Sequence, residues 1–327
     1  MLKKIQIKQK RNKSVVIIGA GYIANEYANV LYNLKIKDVT IIGKSKENVE
    51  KICKKFNYNP IIGGYKNNFK NIGMKDLVIV ATPIDLLIDA TKTALKNNQN
   101  NILVEKPGDL NSKKLSMLKK EISNQRIRIA YNRLTYPTIS KLNELIKKDG
   151  GVTSCKFSFT EWTDKINFEK SKKQIYEYWG IANSLHVIST VFHIIGLPKK
   201  MSPYRFGKLK WHKSGSIFVG SGISEKNIPF SYHGDWGSAG RWGIEIMTKD
   251  NAYRLSPLEE LEVCKKNSIV WTKIKIKNEF PGTKLGLVEQ VLIMLDKSQE
   301  KTLKMIKLDD AIKFNKIAEE IFGYNFS

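Results

Sequence analysis

Apolar residues follow two patterns along this chain, and the change falls near residue 131. Before it, short apolar runs alternate with stretches of helical spacing. The runs are Ser14–Ile18 (SVVII), Asp38–Ile42 (DVTII), Asp76–Ala81 (DLVIVA), Asn101–Val104 (NILV) and Arg126–Ala130 (RIRIA). DLVIVA in particular reads as a strand buried on both faces. Between runs, Ile23, Tyr27, Val30, Leu31 and Leu34, then Leu86, Leu87, Ala90, Ala94 and Leu95, recur at helical spacing. Five strands alternating with helices predict an α/β, doubly wound parallel sheet over residues 1–131.

From 132 to 327 the period changes. Thr138–Lys148 reads as a helix with Ile139, Leu142, Leu145 and Ile146 apolar, ended by Asp149-Gly150-Gly151. In Val152–Glu161, Phe157 and Phe159 alternate with Lys156, Ser158 and Thr160, and Trp242, Ile244 and Ile246 alternate likewise. Ile217–Val219, Pro229–Tyr232, Tyr253–Leu255 and Ile269–Ile276 are further β-rich stretches. One strong helix is expected at about 180–195. Leu185, Ile188, Phe192 and Ile195 form its apolar face; Asn183, His186, Thr190 and His193 lie on the other. Leu285–Leu295 and Leu308–Phe322 are the closing helices. Residues 132–327 therefore predict an α+β domain with a large, mostly antiparallel open sheet and helices on one side, without repeats or a long linker.

The first run leads into GAGYIA, residues 19–24, between a strand and a helix. That context gives G-x-G-x-x-[GA] its meaning as a dinucleotide-binding turn of Rossmann type. Gly19 permits the tight turn, Gly21 has no side chain to block a pyrophosphate, and Ala24 lets the helix pack on the strand. Tyr22 and Ile23 complete the helix start, where unpaired amides and the dipole favour phosphate. An NAD-selective protein places an acid about twenty residues further on. Here Gly43 takes that slot, followed by Lys44, Ser45 and Lys46. Cations and a hydroxyl suit a 2′-phosphate, so NADP is preferred over NAD. Ala81-Thr82-Pro83 and Glu105-Lys106-Pro107 end two further strands, and ligands bind at such carboxyl ends.

Composition changes this picture little. Of 327 residues, Lys+Arg 56 against Asp+Glu 31 gives +25. Only seven of the cations are Arg, the usual base-reading residue, and the lysines are scattered. A specific nucleic-acid partner is not expected; a preference for anionic ligands is. Cys53, Cys155 and Cys264 are sparse and odd in number, against a disulfide scaffold and for a reducing cytoplasm. No His or Cys pair has zinc-ligand spacing. No apolar run is long enough to span a bilayer. The basic start MLKKIQIKQKRNK lacks an apolar core behind it and is expected to be a solvated tail or added edge strand, not a secretory signal.

VVIIGAGYIA (15–24), VATP (80–83), VEKP (104–107) and a helix bearing His186 just after Gly180 resemble the Gfo/Idh/MocA oxidoreductases, the glucose–fructose oxidoreductase and inositol dehydrogenase family. YNRLTYPT (131–138) is similar to the family's hinge. The resemblance spans essentially the whole chain, and 233–261 is similar to members encoded with surface-polysaccharide genes. It implies an NAD(P)-binding Rossmann domain, 1–131, and a substrate-binding and oligomerisation domain, 132–327, whose open sheet often forms a dimer interface. A homodimer or homotetramer follows from it.

The implied activity is hydride transfer between nicotinamide and a hydroxyl or keto carbon of a sugar or nucleotide sugar. By resemblance, Lys106 contacts the reacting hydroxyl, and a cation there stabilises a developing alkoxide. His186 is the matching acid/base, with an ordinary pKa suited to proton exchange near neutrality. Glu105 steers Lys106 or the cofactor ribose, or is a simple charge partner. Asn132, Arg133, Trp162, Tyr178, Trp179 and Asn183 are candidate substrate residues; aromatic faces stack on sugars and Arg binds anions. The Trp and Tyr residues read equally as core, Arg133 as a surface ion-pair partner, and Asn183 as a helix start. One departure matters. The family commonly has an Asp four residues before its histidine, and here that position is Ala182. Ala182 leaves open a catalytically impaired, cofactor-binding sensor or regulatory subunit.

Overall fold

In the computed structural model, residues 13–301 and 303–326 are described. The basic start of the chain, residues 1–12, lies outside them. The chain divides into two units. One comprises the residues up to Thr135 with Phe280–Ile312; the other comprises Tyr136–Glu279 and the residues from Lys313 on.

The first unit holds β1 (Ser14–Ile18), β2 (Asp38–Gly43), β3 (Asn59–Ile62), β4 (Leu77–Val80), β5 (Asn101–Glu105) and β6 (Arg126–Ala130). Their order is β3-β2-β1-β4-β5-β6, and every pairing is parallel. The chain order reverses between β1 and β4, and their carboxyl ends flank the crevice where such sheets bind ligands. Val16, Ile17, Val78 and Ile79 are fully buried because helices cover both faces. The sixth strand, β3, had no apolar run to announce it. It is a four-residue edge strand containing Pro60, and edge positions tolerate Pro.

Residues 280–312 belong with this unit, not with the second domain where the sequence pattern put them. The helix Leu287–Leu295 buries Val288, Val291 and Leu292 in the same core as Val15, Tyr27, Leu31 and Leu77. Its last carbonyls are capped from the sheet. Asn101 Nδ2 and Arg126 each donate to Met294 O, at 2.8 and 2.9 Å, and Arg126 donates to Ile293 O at 3.0 Å. The boundary therefore falls at 135/136, four residues past the expected one.

The second unit holds β7 (Ser154–Phe159), β8 (Pro198–Phe206), β9 (Ile217–Ser224), β10 (Pro229–Asp235), β11 (Trp242–Met247), β12 (Asn251–Leu255), β13 (Glu262–Lys265) and β14 (Thr272–Lys273). The order is β14-β13-β12-β11-β7-β10-β9-β8. Only β7 and β10 pair in parallel; the other neighbours are antiparallel. One face carries Phe157, Phe159, Phe218, Phe230 and Tyr232 into the core, where Phe192 of the helix Leu185–Ile195 meets Phe157 and Phe230 edge-on. The other face carries Lys156 paired with Glu245 at 3.0 Å.

β8 and β13 were not anticipated, because β8 (PKKMSPYRF) is an edge strand with two prolines and its lysines outward. Of Ile269–Ile276 only the two residues of β14 pair; Ile269 is 94% exposed. The helix at 180–195 begins with a wide π-type turn, Gly180–Ser184. Its expected polar face is not solvated: His186 and Thr190 are buried, and Thr190 Oγ1 donates to His186 O at 2.7 Å.

Candidate functional site

In the first unit the glycine turn is built by close approach. Gly19 has φ +125°, and a Cβ there would lie 2.3 Å from Ala81 O. Gly19 N donates to Ile42 O and Ala81 N to Ile18 O, both at 2.8 Å, so the turn is pinned to β2 and β4. Gly21 is the N-cap of the helix Tyr22–Asn33, which has no side-chain cap and no acid in its first turn. A Cβ on Gly21 would meet nothing within 4 Å. Here glycine leaves open space at a helix N-terminus, as a pyrophosphate requires. Ala24 is fully buried against the sheet, while Tyr22 is exposed, with Lys284 Nζ 5.4 Å from its ring. At the end of β4, Thr82 Oγ1 is buried without a hydrogen-bond partner among the described residues, and Pro83 beside it is exposed. An orphaned hydroxyl beside an open helix N-terminus fits a dinucleotide.

At the end of β2 the missing acid has a packing cause. A Cβ on Gly43 would lie 2.5 Å from Val49 Cγ2 and 2.9 Å from Ala20 Cβ. Gly43 O also accepts from Gly64 N at 2.9 Å. Lys44 is exposed, Lys46 lies 3.9 Å from Glu50, and Ser45 Oγ accepts from Asn48 N as the N-cap of the helix Lys46–Phe56. Ser45 thus has a structural task as well.

Glu105 ends β5. Its carboxyl accepts from Tyr27 Oη at 2.7 Å, and Gln290 Oε1 lies 3.4 Å from the same hydroxyl. Burial pushes the Glu105 carboxyl up; Tyr27, the Lys106 charge and backbone amide, and Lys284 pull it down, and burial prevails. Tyr27 rises with it, chiefly through burial. Glu105 is therefore tied to Tyr27 and to the start of the Lys106 turn. Pro107 is buried, and Lys106 is half-buried. Asn132 is buried and donates to Leu285 O at 3.2 Å, which joins the 132–135 turn to the loop before the helix Leu287–Leu295. Arg133, on the same turn, is half-buried.

In the second unit the sequence missed the central group. Phe157 and Phe159 face inward on β7, and the same phase carries Glu161 inward just past the strand. Its carboxylate, 3% exposed, accepts from Ser184 Oγ at 2.6 Å, Asn183 Nδ2 at 2.9 Å, Trp242 Nε1 at 3.2 Å and Arg241 at 3.3 Å. Burial raises its pKa, and these donors pull against it. Two of them belong to the turn that opens the His186 helix. The signal was available: an acid in phase with core phenylalanines demands buried partners.

Arg241, also missed, lies between two indoles, 4.5 Å from the Trp162 ring and 4.3 Å from that of Trp242. Trp162 is 55% exposed and donates Nε1 to Gly240 O at 2.9 Å. A cavity of about 360 Å³ opens here, walled by Trp162, Tyr176, Trp179, Asn183 and Arg241, with Glu161 at its base. Tyr176 and Trp179 stack at 5.8 Å. Three expected substrate residues, Trp162, Trp179 and Asn183, thus line the same cavity. Tyr178 does not join them: its ring packs on Tyr324 and Phe326, at 5.0 and 4.5 Å. His186 is 8% exposed, with its ring 5.8 Å from Trp242, and is not on the wall. Ala182 is buried.

The turn is anchored from behind. Gly180 N donates to Tyr324 Oη at 3.0 Å, Tyr324 Oη lies 2.6 Å from His212 Nε2, and His212 Nδ1 lies 2.7 Å from Gly215 O. This chain suits a neutral imidazole, and burial pushes the His212 pKa down to about 4. Among the described residues, no three His, Cys, Asp or Glu groups gather as a metal site, and no helix is long and apolar enough to cross a membrane.

Known proteins resemble this chain in part and in whole. The profile of the shikimate/quinate 5-dehydrogenase family matches residues 1–106. Glutamyl-tRNA reductase of Saccharolobus islandicus (strain M.14.25 / Kamchatka #1) is 30% identical over 100 residues, 29% of this chain and 24% of that protein. The same enzyme of Listeria monocytogenes (serotype 4b, strain F2365) is 32% identical over 71 residues, 22% and 16% of the two chains. The match thus spans a quarter or less of these curated relatives. Whole-chain likeness comes from solved structures. UDP-N-acetylglucosamine 3-dehydrogenase of Acidithiobacillus ferrooxidans superposes with TM-score 0.72 at 10% identity, covering 95% of this chain and 97% of that one. Levoglucosan dehydrogenase with NADH and L-sorbose gives 0.77 at 13%, covering 96% of each. Biliverdin reductase of Synechocystis sp. PCC 6803, with biliverdin and NADP+, gives 0.70 at 18%, covering 95% and 99%. At these identities the likeness establishes the two-unit fold, which carries sugars in one neighbour and a tetrapyrrole in another.

Proposed function

We propose that this chain is an NAD(P)-dependent oxidoreductase of Gfo/Idh/MocA type, acting on a hydroxyl or keto carbon of a sugar or nucleotide sugar. The observation that carries the reading is the open space above Gly21 at an uncapped helix N-terminus, beside the orphaned Thr82 hydroxyl. When bound, the nicotinamide accepts or donates a hydride. Gly19, Gly21, Tyr22, Ile23 and Ala24 hold its pyrophosphate end, Ala81, Thr82, Pro83, Glu105 and Pro107 line the strand ends, and Lys44 with Ser45 faces the ribose. Lys44 beside a glycine that admits no acid favours NADP. Lys106 stabilises charge on the reacting oxygen, and His186 exchanges its proton. Asn183 is a substrate contact with its polarity fixed: a carboxylate only accepts, so the Asn183 amine faces Glu161 and its Oδ1 is left to accept from a sugar hydroxyl.

Gly21→Ala tests the cofactor site cleanly, because its methyl meets no protein atom within 4 Å. Fluorescence titration should show NADPH binding tighter than NADH in the natural protein. Gly21→Ala should bind either at least tenfold more weakly at an unchanged melting temperature, and Lys44→Asp should narrow the NADPH preference. Unaltered binding by Gly21→Ala would refute the site. Ala182 supports a second reading, a sensor that binds cofactor without turnover. Lys106→Ala should abolish turnover of a sugar panel if the chain is an enzyme, and leave a cofactor-linked partner response intact if it is a sensor.

A further inference from the structure

We propose that the cavity at Glu161 takes a sugar bearing an anionic substituent, a phosphate or a carboxylate, gripped by Arg241 with Lys165 and Lys170. The inference rests on the oxidoreductase reading for its sugar and on the cavity itself for its charge. At about 360 Å³ the space matches a monosaccharide with one substituent. Trp162, Tyr176 and Trp179 supply aromatic faces of the kind that stack on a sugar ring. The described wall holds three cations, Arg241, Lys165 and Lys170, and one acid, Glu161.

Lysines are common on this chain and carry little argument alone. Arg241 carries more. Arginine is rare here, and this one is held between two indoles, with Glu161 fixing one side of its guanidinium. A guanidinium has five N–H donors, and the paired carboxylate uses only part of that fork. One carboxylate also leaves the wall net positive, which attracts an anion. A neutral sugar needs the aromatic faces and Asn183 but gives the cations nothing to do.

The test is a calorimetric titration of the full-length protein, with and without saturating NADPH, using glucose 1-phosphate, glucuronate and glucose. At least one anionic sugar should bind tenfold or more tighter than glucose, and which of the two wins identifies the substituent. Lys165→Ala/Lys170→Ala, at two exposed positions, should lose about tenfold for that sugar. Arg241→Lys, which keeps the charge but not the fork, should lose a similar factor. NADPH affinity should not change in either variant. Equal binding of all three sugars, binding of none, or indifference to both variants would overturn the proposal. Failure of the natural protein to bind NADPH would sink the oxidoreductase reading, while the sugar comparison would still decide the cavity.

Discussion

Replacing Glu161 by Ala removes the acceptor on which four donors converge. Ser184 is fully buried, Trp242 is 6% exposed and Asn183 is half-buried, so their donors lose a partner that water replaces poorly. At roughly 1.5 kcal/mol for each hydrogen bond to a carboxylate, these contribute about 4.5 kcal/mol. The Arg241 pair adds less than about 1 kcal/mol, because the Arg241 side chain is 37% exposed and screened. Relief of the cost of burying a carboxylate returns roughly 2 kcal/mol. The net loss is about 3 kcal/mol, or roughly 6–12 °C in the melting of a unit of this size. Glu161→Gln keeps one acceptor oxygen and the volume, and should lose about half as much. Differential scanning calorimetry with urea titration at pH 7 measures both. A loss below about 1 kcal/mol for Glu161→Ala would refute the claim that this carboxylate holds the start of the His186 helix.

Two more outcomes follow from the geometry. Gly19→Ala, unlike Gly21→Ala, should destabilise the first unit by about 2 kcal/mol or more as well as weaken NADPH binding, because its Cβ would meet Ala81 O at 2.3 Å at a φ of +125°. Calorimetry shows whether the two glycines part in this way. His212 should make the second unit acid-sensitive. Its folded pKa, about 4, lies below the ordinary value of 6.5, so the unfolded chain binds more protons between these values. Its contribution is complete above pH 6.5 and is lost as the pH falls towards 4, by about 3 kcal/mol in all. Urea unfolding of the natural protein and His212→Gln at pH 7, 5.5 and 4.5 should show the gap between them narrowing; a constant gap would contradict the neutral-histidine chain.

Periodicity by itself determined much of this protein. SVVII, DLVIVA and NILV read as buried parallel strands because their apolar character is nearly continuous; RIRIA, interrupted by Arg126 and Arg128, is placed by the alternation of strands with helices, and GAGYIA between a strand and a helix reads as a close turn. The alternation around Phe157 and Trp242 likewise fixed two core-facing strands. Edge strands escaped because they bury little: Pro60 in β3 and the prolines and lysines of β8 are what an edge tolerates. Tertiary structure alone decided where the helix Leu287–Leu295 packs, since its apolar surface would have suited either unit and its caps come from Asn101 and Arg126, far off in sequence. It also decided Gly43, which reads as a missing acid in sequence and is a packing contact with Val49 in space. The cavity shows the same division. Trp162, Trp179 and Asn183 were legible as candidate substrate residues, with core and helix-start readings equally open. Glu161 and Arg241 were not, because what defines them is convergence: a carboxylate and a guanidinium eighty residues apart pair at 3.3 Å only when a sheet sets β7 beside β11.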